Sequence, residues 1–83
     1  IITDVDRVYI NFGKKNQKGF NKITVKELKI YQKQNQFPAG SMGPKIQAAI
    51  NFLTDKNKKV IITDIKNIEK ALEGKSGTLI TKA

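Results

Sequence analysis

Apolar and polar positions alternate with two different periods along the chain. Residues 1–5 and residues 60–62 are runs dominated by Ile and Val, which are typical of strands buried in a sheet. Residues 8–12 alternate apolar with other side chains, which predicts a second short strand. Residues 13–21 are polar and contain glycine, so we expect a loop there, and residues 78–81 predict a last strand.

The first predicted helix begins at a capping box. Thr24 lies three residues before Glu27, a spacing at which each side chain can bond to the backbone amide of the other residue. The apolar side chains that follow at helical spacing are Val25, Leu28 and Tyr31. The pattern weakens through residues 32–36, so we expect the helix to end there, before a loop over residues 37–43.

Two more helices are predicted downstream. Pro44 suits the first position of the second helix, because the amide hydrogen that proline lacks has no partner there. The apolar stripe of this helix consists of Ile46, Ala49, Ile50 and Leu53. We expect it to end near residues 55–58. The third helix should follow Asp64 or Lys66 and end at Gly74, which suits a C-terminal cap. Its apolar positions are Ile65, Ile68, Ala71 and Leu72.

Strands that alternate with helices predict an α/β fold with helices on the faces of a sheet. Ligands of such sheets bind beyond the carboxyl ends of the strands, which places residues 3–6 and residues 63–64 at a ligand-binding edge. The 83 residues are enough for one small domain at most. Because the chain opens within an apolar strand pattern and without Met, we expect it to be a piece of a longer protein.

The amino-acid composition excludes several kinds of catalytic and metal-binding site. The chain contains neither Cys nor His, so disulfides, thiolate metal sites and the commonest general base are excluded. Any chemistry must depend on Lys, Asp, Glu, hydroxyl groups and backbone amides. No apolar run approaches the roughly 20 residues that cross a bilayer, and no signal peptide pattern is present. We therefore expect a cytoplasmic protein without a membrane partner.

The net charge is +9, with 16 Lys and Arg against 7 Asp and Glu. Arg7 is the only arginine, whereas nucleic-acid grooves usually need several guanidinium groups. The densest basic cluster consists of Lys14, Lys15, Lys18 and Lys22, interleaved only with Phe20. A solvated loop is the simpler interpretation, and nucleic acid is not the expected partner. A basic module that binds a polyanion remains an alternative.

Two segments could form a binding site. Gly40, Ser41, Met42 and Gly43 lead into a predicted helix start that carries Lys45, and these are the parts of a phosphate site. The Walker A spacing is absent. Residues 3–9 offer two carboxylates and an aromatic ring at a strand end, where they could hold a ribose and a base. Taken singly, an ordinary loop-to-helix junction and an ordinary strand-ending turn remain the simpler interpretations.

Together these segments resemble the carbamate kinase branch of the amino acid kinase family. Residues 3–17, TDVDRVYINFGKKNQ, resemble the branch's TDVDxVYINFGKPNQ. Residues 23–53 resemble TVxEAxxY…FxxGSMxPKVxAAxxF, and residues 60–80 resemble AIITSLxxAxxALxGKAGTxI. Arg7 stands where the branch usually has a small residue, and Lys15 replaces a proline. Neither departure removes a charge that the chemistry needs.

The resemblance implies that residues 1–83 are the C-terminal, nucleotide-binding part of a three-layer αβα sandwich with an incomplete sheet. The complete enzyme would transfer a phosphoryl group between carbamoyl phosphate and ADP, giving ATP and carbamate, with Mg²⁺. It would serve fermentative arginine breakdown as a cytoplasmic homodimer. A related amino acid kinase with another acceptor remains open, because the acceptor site would lie upstream of residue 1.

The same resemblance implies the roles of individual residues. Lys45 would be the catalytic lysine that neutralises the phosphates during transfer. The nucleotide-binding residues would be Thr3, Asp4, Asp6, Tyr9, Gly40, Ser41, Met42 and Gly43. No metal ligand is implied within the chain. Without the upstream part, we expect this chain alone to be inactive and to expose an unpaired strand edge.

Overall fold

A computed structural model describes residues 1–54 and 58–82. The described elements are β1 (Ile2–Thr3), β2 (Val8–Ile10), β3 (Lys18–Phe20), β4 (Lys22–Thr24), α1 (Val25–Lys33), α2 (Met42–Thr54), β5 (Lys59–Asp64), a 3₁₀ turn (Ile65–Asn67), α3 (Ile68–Leu72) and β6 (Thr78–Thr81). The predicted mixture of strands and helices is confirmed, and residues 55–57, where we expected α2 to end, lie outside the described residues.

Four strands form the main sheet, in the order β1-β5-β6-β4. β1 pairs with β5 in parallel, β5 pairs with β6 antiparallel, and β6 pairs with β4 in parallel. β2 and β3 form a separate antiparallel pair. The carboxyl end of β1 therefore lies beside that of β5, and the chain continues from this edge towards β2.

One face of the sheet carries the core. Ile23, Ile80 and Ile62 come from three neighbouring strands and are fully buried. The helices α1 and α2 cover this face with another set of buried side chains, Leu28, Ile46, Ala49, Ile50 and Leu53. The apolar stripe predicted for α2 is therefore the side that packs on the sheet.

The opposite face is only partly covered. Ala71 of α3 and Thr63 of β5 both lie beside Gly77, so the short α3 packs on this side. Ile65 and Leu72 are 73% and 75% exposed, and the prediction that the third helix includes Ile65 is wrong, because Ile65 lies in the 3₁₀ turn before α3. The 3₁₀ turn breaks the helical period between them, and α3 is only 5 residues long.

The first strand is less buried than its sequence predicts. Ile1 and Ile2 are 41% and 50% exposed, whereas Thr3 is buried. β1 lies at the edge of the described sheet and pairs only with β5, so its apolar side chains lack a second neighbouring strand. The prediction of a buried strand over residues 1–5 is therefore wrong in extent, and the predicted exposed edge is present.

The segment predicted as a loop over residues 13–21 contains β3 and ends where β4 begins. Gly19 pairs with Tyr9 across the two-stranded sheet. A Cβ atom at Gly19 would lie 2.7 Å from both Arg7 Cδ and Tyr9 Cε1, so the absence of a side chain lets these two residues lie across the strand. Glycine marks close packing here rather than a loop.

Local signals at the helix ends agree with the structure. The backbone amide of Glu27 donates to Thr24 Oγ1, and that of Thr24 donates to Glu27 Oε1, which confirms the capping box. Gly74 has a φ of +77° and follows the cap of α3, as predicted. Helix α2, however, begins at Met42 rather than Pro44. Pro44 is tolerated because the first four amides of a helix have no intrahelical partner.

Candidate functional site

A cleft with a volume of about 120 Å³ opens between the segment that follows β1 and the loop that joins α1 to α2. The first wall consists of Asp4, Val5, Tyr9 and Phe12. The second wall consists of Gln36, Phe37, Pro38, Ser41 and Met42. The walls are mostly aromatic and apolar, with few polar groups, as is common in pockets for small molecules.

Two aromatic rings shape the first wall. The centroids of Tyr9 and Phe12 are 5.6 Å apart with an interplanar angle of 53°. Phe12 is 60% exposed, although burying a phenylalanine side chain is more favourable than leaving it in water. An exposed ring beside a cleft suits a flat, partly apolar ligand group, such as a heterocyclic base, which would cover it.

A hydrogen bond to Asp6 holds the Tyr9 ring. The Tyr9 hydroxyl donates to Asp6 Oδ1 at 2.6 Å, and Arg7 Nε donates to Asp6 Oδ2 at 3.1 Å. The bond from Tyr9 is the largest cause that lowers the pKa of Asp6, and Arg7 lowers it further. The same bond, together with burial, raises the pKa of Tyr9. Both carboxylate oxygens of Asp6 are therefore engaged by neighbouring side chains.

A lysine lies at the start of α2, beside the end of β1. Lys45 Nζ donates to Thr3 Oγ1 at 2.7 Å, and Thr3 Oγ1 donates to Asp4 Oδ1 at 3.2 Å. The ion pairs in the described part of the chain are Arg7–Asp6 and Lys75–Glu73, so no carboxylate there lies within ion-pair distance of Lys45. A half-buried ammonium group held only by a neutral oxygen can still bind an anion.

The loop before α2 turns tightly around one carbonyl group. The oxygen of Pro38 accepts hydrogen bonds from the amides of Ser41 at 3.2 Å and Gly43 at 2.8 Å. A Cβ atom at Gly43 would lie 2.8 Å from that oxygen, so only glycine fits without a shift. Gly40 has open space around it and is exposed. Gly43 therefore shapes the second wall, whereas Gly40 does not.

The structure separates the predicted site residues into two groups. Asp4, Tyr9, Ser41 and Met42 line the cleft. The others lie outside its lining: Thr3 and Lys45 contact each other, Asp6 holds Tyr9, Gly43 shapes the loop, and Gly40 is exposed. The roles of all nine residues remain predictions.

Sequence reasoning missed five residues of the cleft, Val5, Phe12, Gln36, Phe37 and Pro38. Phe12 is the last residue of the second predicted strand and Phe37 directly follows the first predicted helix, so an aromatic residue at the end of an element was the signal that could have revealed both. Among residues 1–54 and 58–82 no group of three or more potential ligands is close enough to hold a metal ion. None of the helices in these ranges has the length and apolar character that a bilayer crossing requires.

Comparisons with known proteins show the family of the chain. The sequence profile of the Amino acid kinase family matches residues 1–64. Carbamate kinases from Thermoplasma acidophilum and Oenococcus oeni are 50% and 51% identical over 82 residues, which cover 99% of this chain. The same alignments cover 27% and 26% of those two proteins, so the chain spans about a quarter of the length of the curated relatives it matches.

A solved structure gives the same result. Carbamate kinase from Giardia lamblia bound to AMP-PNP superimposes with a TM-score of 0.94 and 41% sequence identity. The superposition covers 100% of this chain and 26% of that one, so the fold described here is a portion of the fold of that structure. The predicted fold class is confirmed. Because the family profile matches well over half of its residues, the chain belongs to the amino acid kinase family.

Proposed function

We propose that residues 1–83 form the C-terminal, nucleotide-binding part of a carbamate kinase that transfers a phosphoryl group between carbamoyl phosphate and ADP. The observation that carries this proposal is the position of Lys45 near an aromatic cleft, with its ammonium group bonded to Thr3 rather than to a carboxylate. The similarity to carbamate kinases, about 50% identity over nearly the whole chain, supports the choice of reaction.

The cleft and the lysine suit different parts of an adenine nucleotide. The rings of Tyr9 and Phe12 would pack against the base, and the cleft is large enough for part of it. The phosphates would lie towards the start of α2, where backbone amides and the helix dipole favour negative charge. Lys45 would stabilise the charge on the phosphoryl oxygens in the transition state.

We propose that Mg²⁺ would bind together with the nucleotide phosphates. Mg²⁺ is usually bound by one or two carboxylates together with substrate phosphates and water. The described residues contain no cluster of three potential ligands, so the ion would be held chiefly by the phosphates. The cytoplasmic homodimer and the role in arginine breakdown are further parts of the proposal that rest on the family resemblance.

The phosphoryl acceptor distinguishes a carbamate kinase from another enzyme of the amino acid kinase family. The chain spans about a quarter of its relatives, and we propose that the site for carbamoyl phosphate lies in the remainder of the enzyme. Another amino acid kinase with a different acceptor could carry the same nucleotide-binding part. The polyanion-binding alternative gains no support, because Phe20, the aromatic residue within the basic cluster, is only 8% exposed and belongs to the core.

The test is formation of ATP from carbamoyl phosphate and ADP by the complete enzyme, by its Lys45→Ala variant and by the 83-residue chain alone. We expect activity in the complete enzyme, a loss of roughly a hundred-fold or more in the variant, and none in the isolated chain. Lys29, an exposed lysine on α1, provides the control substitution Lys29→Ala. A folded complete enzyme without activity on carbamoyl phosphate would contradict the carbamate assignment.

A further inference from the structure

Two amide side chains connect the walls of the cleft. The backbone N–H of Asn11 donates to Gln36 Oε1 at 2.8 Å, and Gln36 Nε2 donates to Asn11 Oδ1 at 3.1 Å. In the sequence Asn11 lies between Tyr9 and Phe12, which line the first wall, and Gln36 lines the second wall directly before Phe37. The two bonds therefore join the segments of the two walls, which are 25 residues apart.

Both partners are held by their own backbone turns. Asn11 has a φ of +52°, a conformation that asparagine tolerates better than most residues, and its carbonyl accepts from the amide of Lys14 at 3.0 Å. Gln36 follows Asn35, which has a φ of +56°. The backbone N–H of Gln36 donates to the carbonyl oxygen of Tyr31 near the end of α1. The pair thus connects two ordered turns rather than two loose loops.

Both members of the pair are partly shielded from water, so the loss of their hydrogen bonds costs free energy. Asn11 and Gln36 are both half-buried, and the reciprocal pattern satisfies one donor and one acceptor on each residue. Removing the Gln36 amide would leave the Asn11 N–H without this partner, which is costly for a partly buried group. The walls would then separate or rearrange to solvate it.

We propose that Asn11 and Gln36 form a positioning pair that fixes the distance between the two aromatic walls and so sets the affinity of the cleft for the nucleotide base. This inference rests on the proposed function and extends it to two residues for which no role was predicted. The pair acts through Tyr9, Phe12 and Phe37. The phosphate end of the ligand depends on Lys45 and Thr3, which belong to a different hydrogen-bond network.

Because the base and the phosphates would contact separate hydrogen-bond networks, a change at Gln36 should affect the kinetic constants of the complete enzyme selectively. Gln36→Met keeps the approximate volume of the side chain but loses both bonds. We expect it to raise KM for ADP roughly five- to thirty-fold, while kcat and KM for carbamoyl phosphate change less than about two-fold. Inorganic pyrophosphate lacks a base, so its inhibition constant as a competitor of ADP should remain unchanged.

Asn11 provides a second, independent pair of variants. Asn11→Gly tolerates the positive φ but loses the oxygen that accepts from Gln36, whereas Asn11→Asp keeps that oxygen. We expect KM for ADP to rise in the Gly variant and to remain near the wild-type value in the Asp variant. Comparing these two variants tests the bond even if Gln36→Met fails to fold.

The matched control is Gln32→Met. Gln32 Nε2 donates to Gln47 Oε1 at 3.1 Å, an exposed bond between α1 and α2 outside the cleft lining. An equal rise in KM for ADP in Gln32→Met would overturn the proposal, as would an unchanged KM in a folded Gln36→Met or an equal loss of pyrophosphate inhibition. If the wild-type enzyme binds ADP but Gln36→Met and Gln32→Met have the same KM for ADP, only the positioning role of Asn11 and Gln36 is contradicted. If the wild-type enzyme makes no ATP, the proposed function itself is contradicted.

Discussion

Lys45 Nζ donates a hydrogen bond of 2.7 Å to Thr3 Oγ1 and so joins the start of α2 to the end of β1 across 42 residues. Thr3 is 9% exposed, so its hydroxyl holds a fixed position in the sheet. Lysine side chains have four rotatable bonds and lose much rotamer freedom when ordered. A rigid neutral acceptor therefore orders the ammonium group without cancelling its charge.

We predict that Thr3→Val in the complete enzyme lowers kcat for ATP formation roughly ten- to hundred-fold, because the ammonium group of Lys45 loses the acceptor that orders it. Valine has nearly the shape of threonine and suits a strand. Thr3→Ser, which keeps the hydroxyl, should retain most of the activity. Steady-state kinetics checks both variants, and thermal unfolding checks that they are folded. Equal kcat values for Val and Ser would contradict a positioning role for the hydroxyl.

Gly43 gives a prediction about the second wall. Its Cβ would lie 2.8 Å from the Pro38 oxygen and 3.2 Å from the Phe37 oxygen, both of them backbone atoms that cannot rotate away. We predict that Gly43→Ala lowers the free energy of unfolding by about 1–3 kcal/mol, as overpacking usually does. It should also raise KM for ADP, because Phe37 and Pro38 line the cleft.

Gly40→Ala is the matched control for Gly43→Ala. No atom of the described residues lies within 4 Å of a Cβ atom at Gly40, and its backbone does not have a positive φ. Chemical denaturation should show a change within about 0.5 kcal/mol. A normal stability combined with a raised KM for ADP in Gly40→Ala would indicate direct contact with the nucleotide, as the resemblance predicts. Equal destabilisation by both variants would contradict the steric argument.

Local signals explain why the helices and strands were largely predictable. The capping box at Thr24, the glycine cap at Gly74 and the apolar stripe of α2 depend on residues within a few positions of each other. Signals of this range are visible in one sequence. The start of α2 was misplaced because proline suits the first helical position but is also tolerated elsewhere in the first turn, and α2 begins two residues before Pro44, at Met42.

The walls of the site depend on contacts that no local pattern reveals. Asn11 and Gln36 are 25 residues apart, and Thr3 and Lys45 are 42 apart. The strand at Gly19 was missed because glycine usually marks loops, and only the fold shows that Tyr9 lies across it. The family resemblance implied roles for Thr3 and Lys45 but not their mutual bond, and it implied no role for Phe12 or Gln36.

The bond between Tyr9 and Asp6 predicts how stability depends on pH. Asp6 has a lowered pKa, so its contribution to folding is present above its ordinary value of 3.8 and is lost as pH falls through the lower folded value. Tyr9 has a raised pKa, so its contribution is present below 10.0 and is lost as pH rises through the higher folded value.

Tyr9→Phe tests this pH dependence, because it removes the hydroxyl and keeps the ring. Near pH 7 we expect the free energy of unfolding to fall by about 1 kcal/mol, a modest value because Asp6 is partly exposed. The difference from wild type should shrink below pH 4 and above pH 10. Tyr31→Phe is the control, because the Tyr31 ring packs against Phe20, whereas the hydroxyl that donates to Asp6 is that of Tyr9. A difference that stays constant across the whole pH range would contradict the assignment.

The exposed edge of the sheet gives a prediction for the 83-residue chain alone. β1 pairs only with β5 among the described strands, and Ile2 is 50% exposed beside this edge. Unpaired strand edges with apolar side chains promote association between chains, whereas lysine at an edge opposes it. We expect sedimentation velocity to show concentration-dependent association, which Ile2→Lys reduces. Ile30 on α1 is 48% exposed, so Ile30→Lys adds the same charge at a similar exposure away from the edge. An equal reduction by both variants would attribute the effect to net charge, and a monomer at all concentrations would contradict the role of the edge.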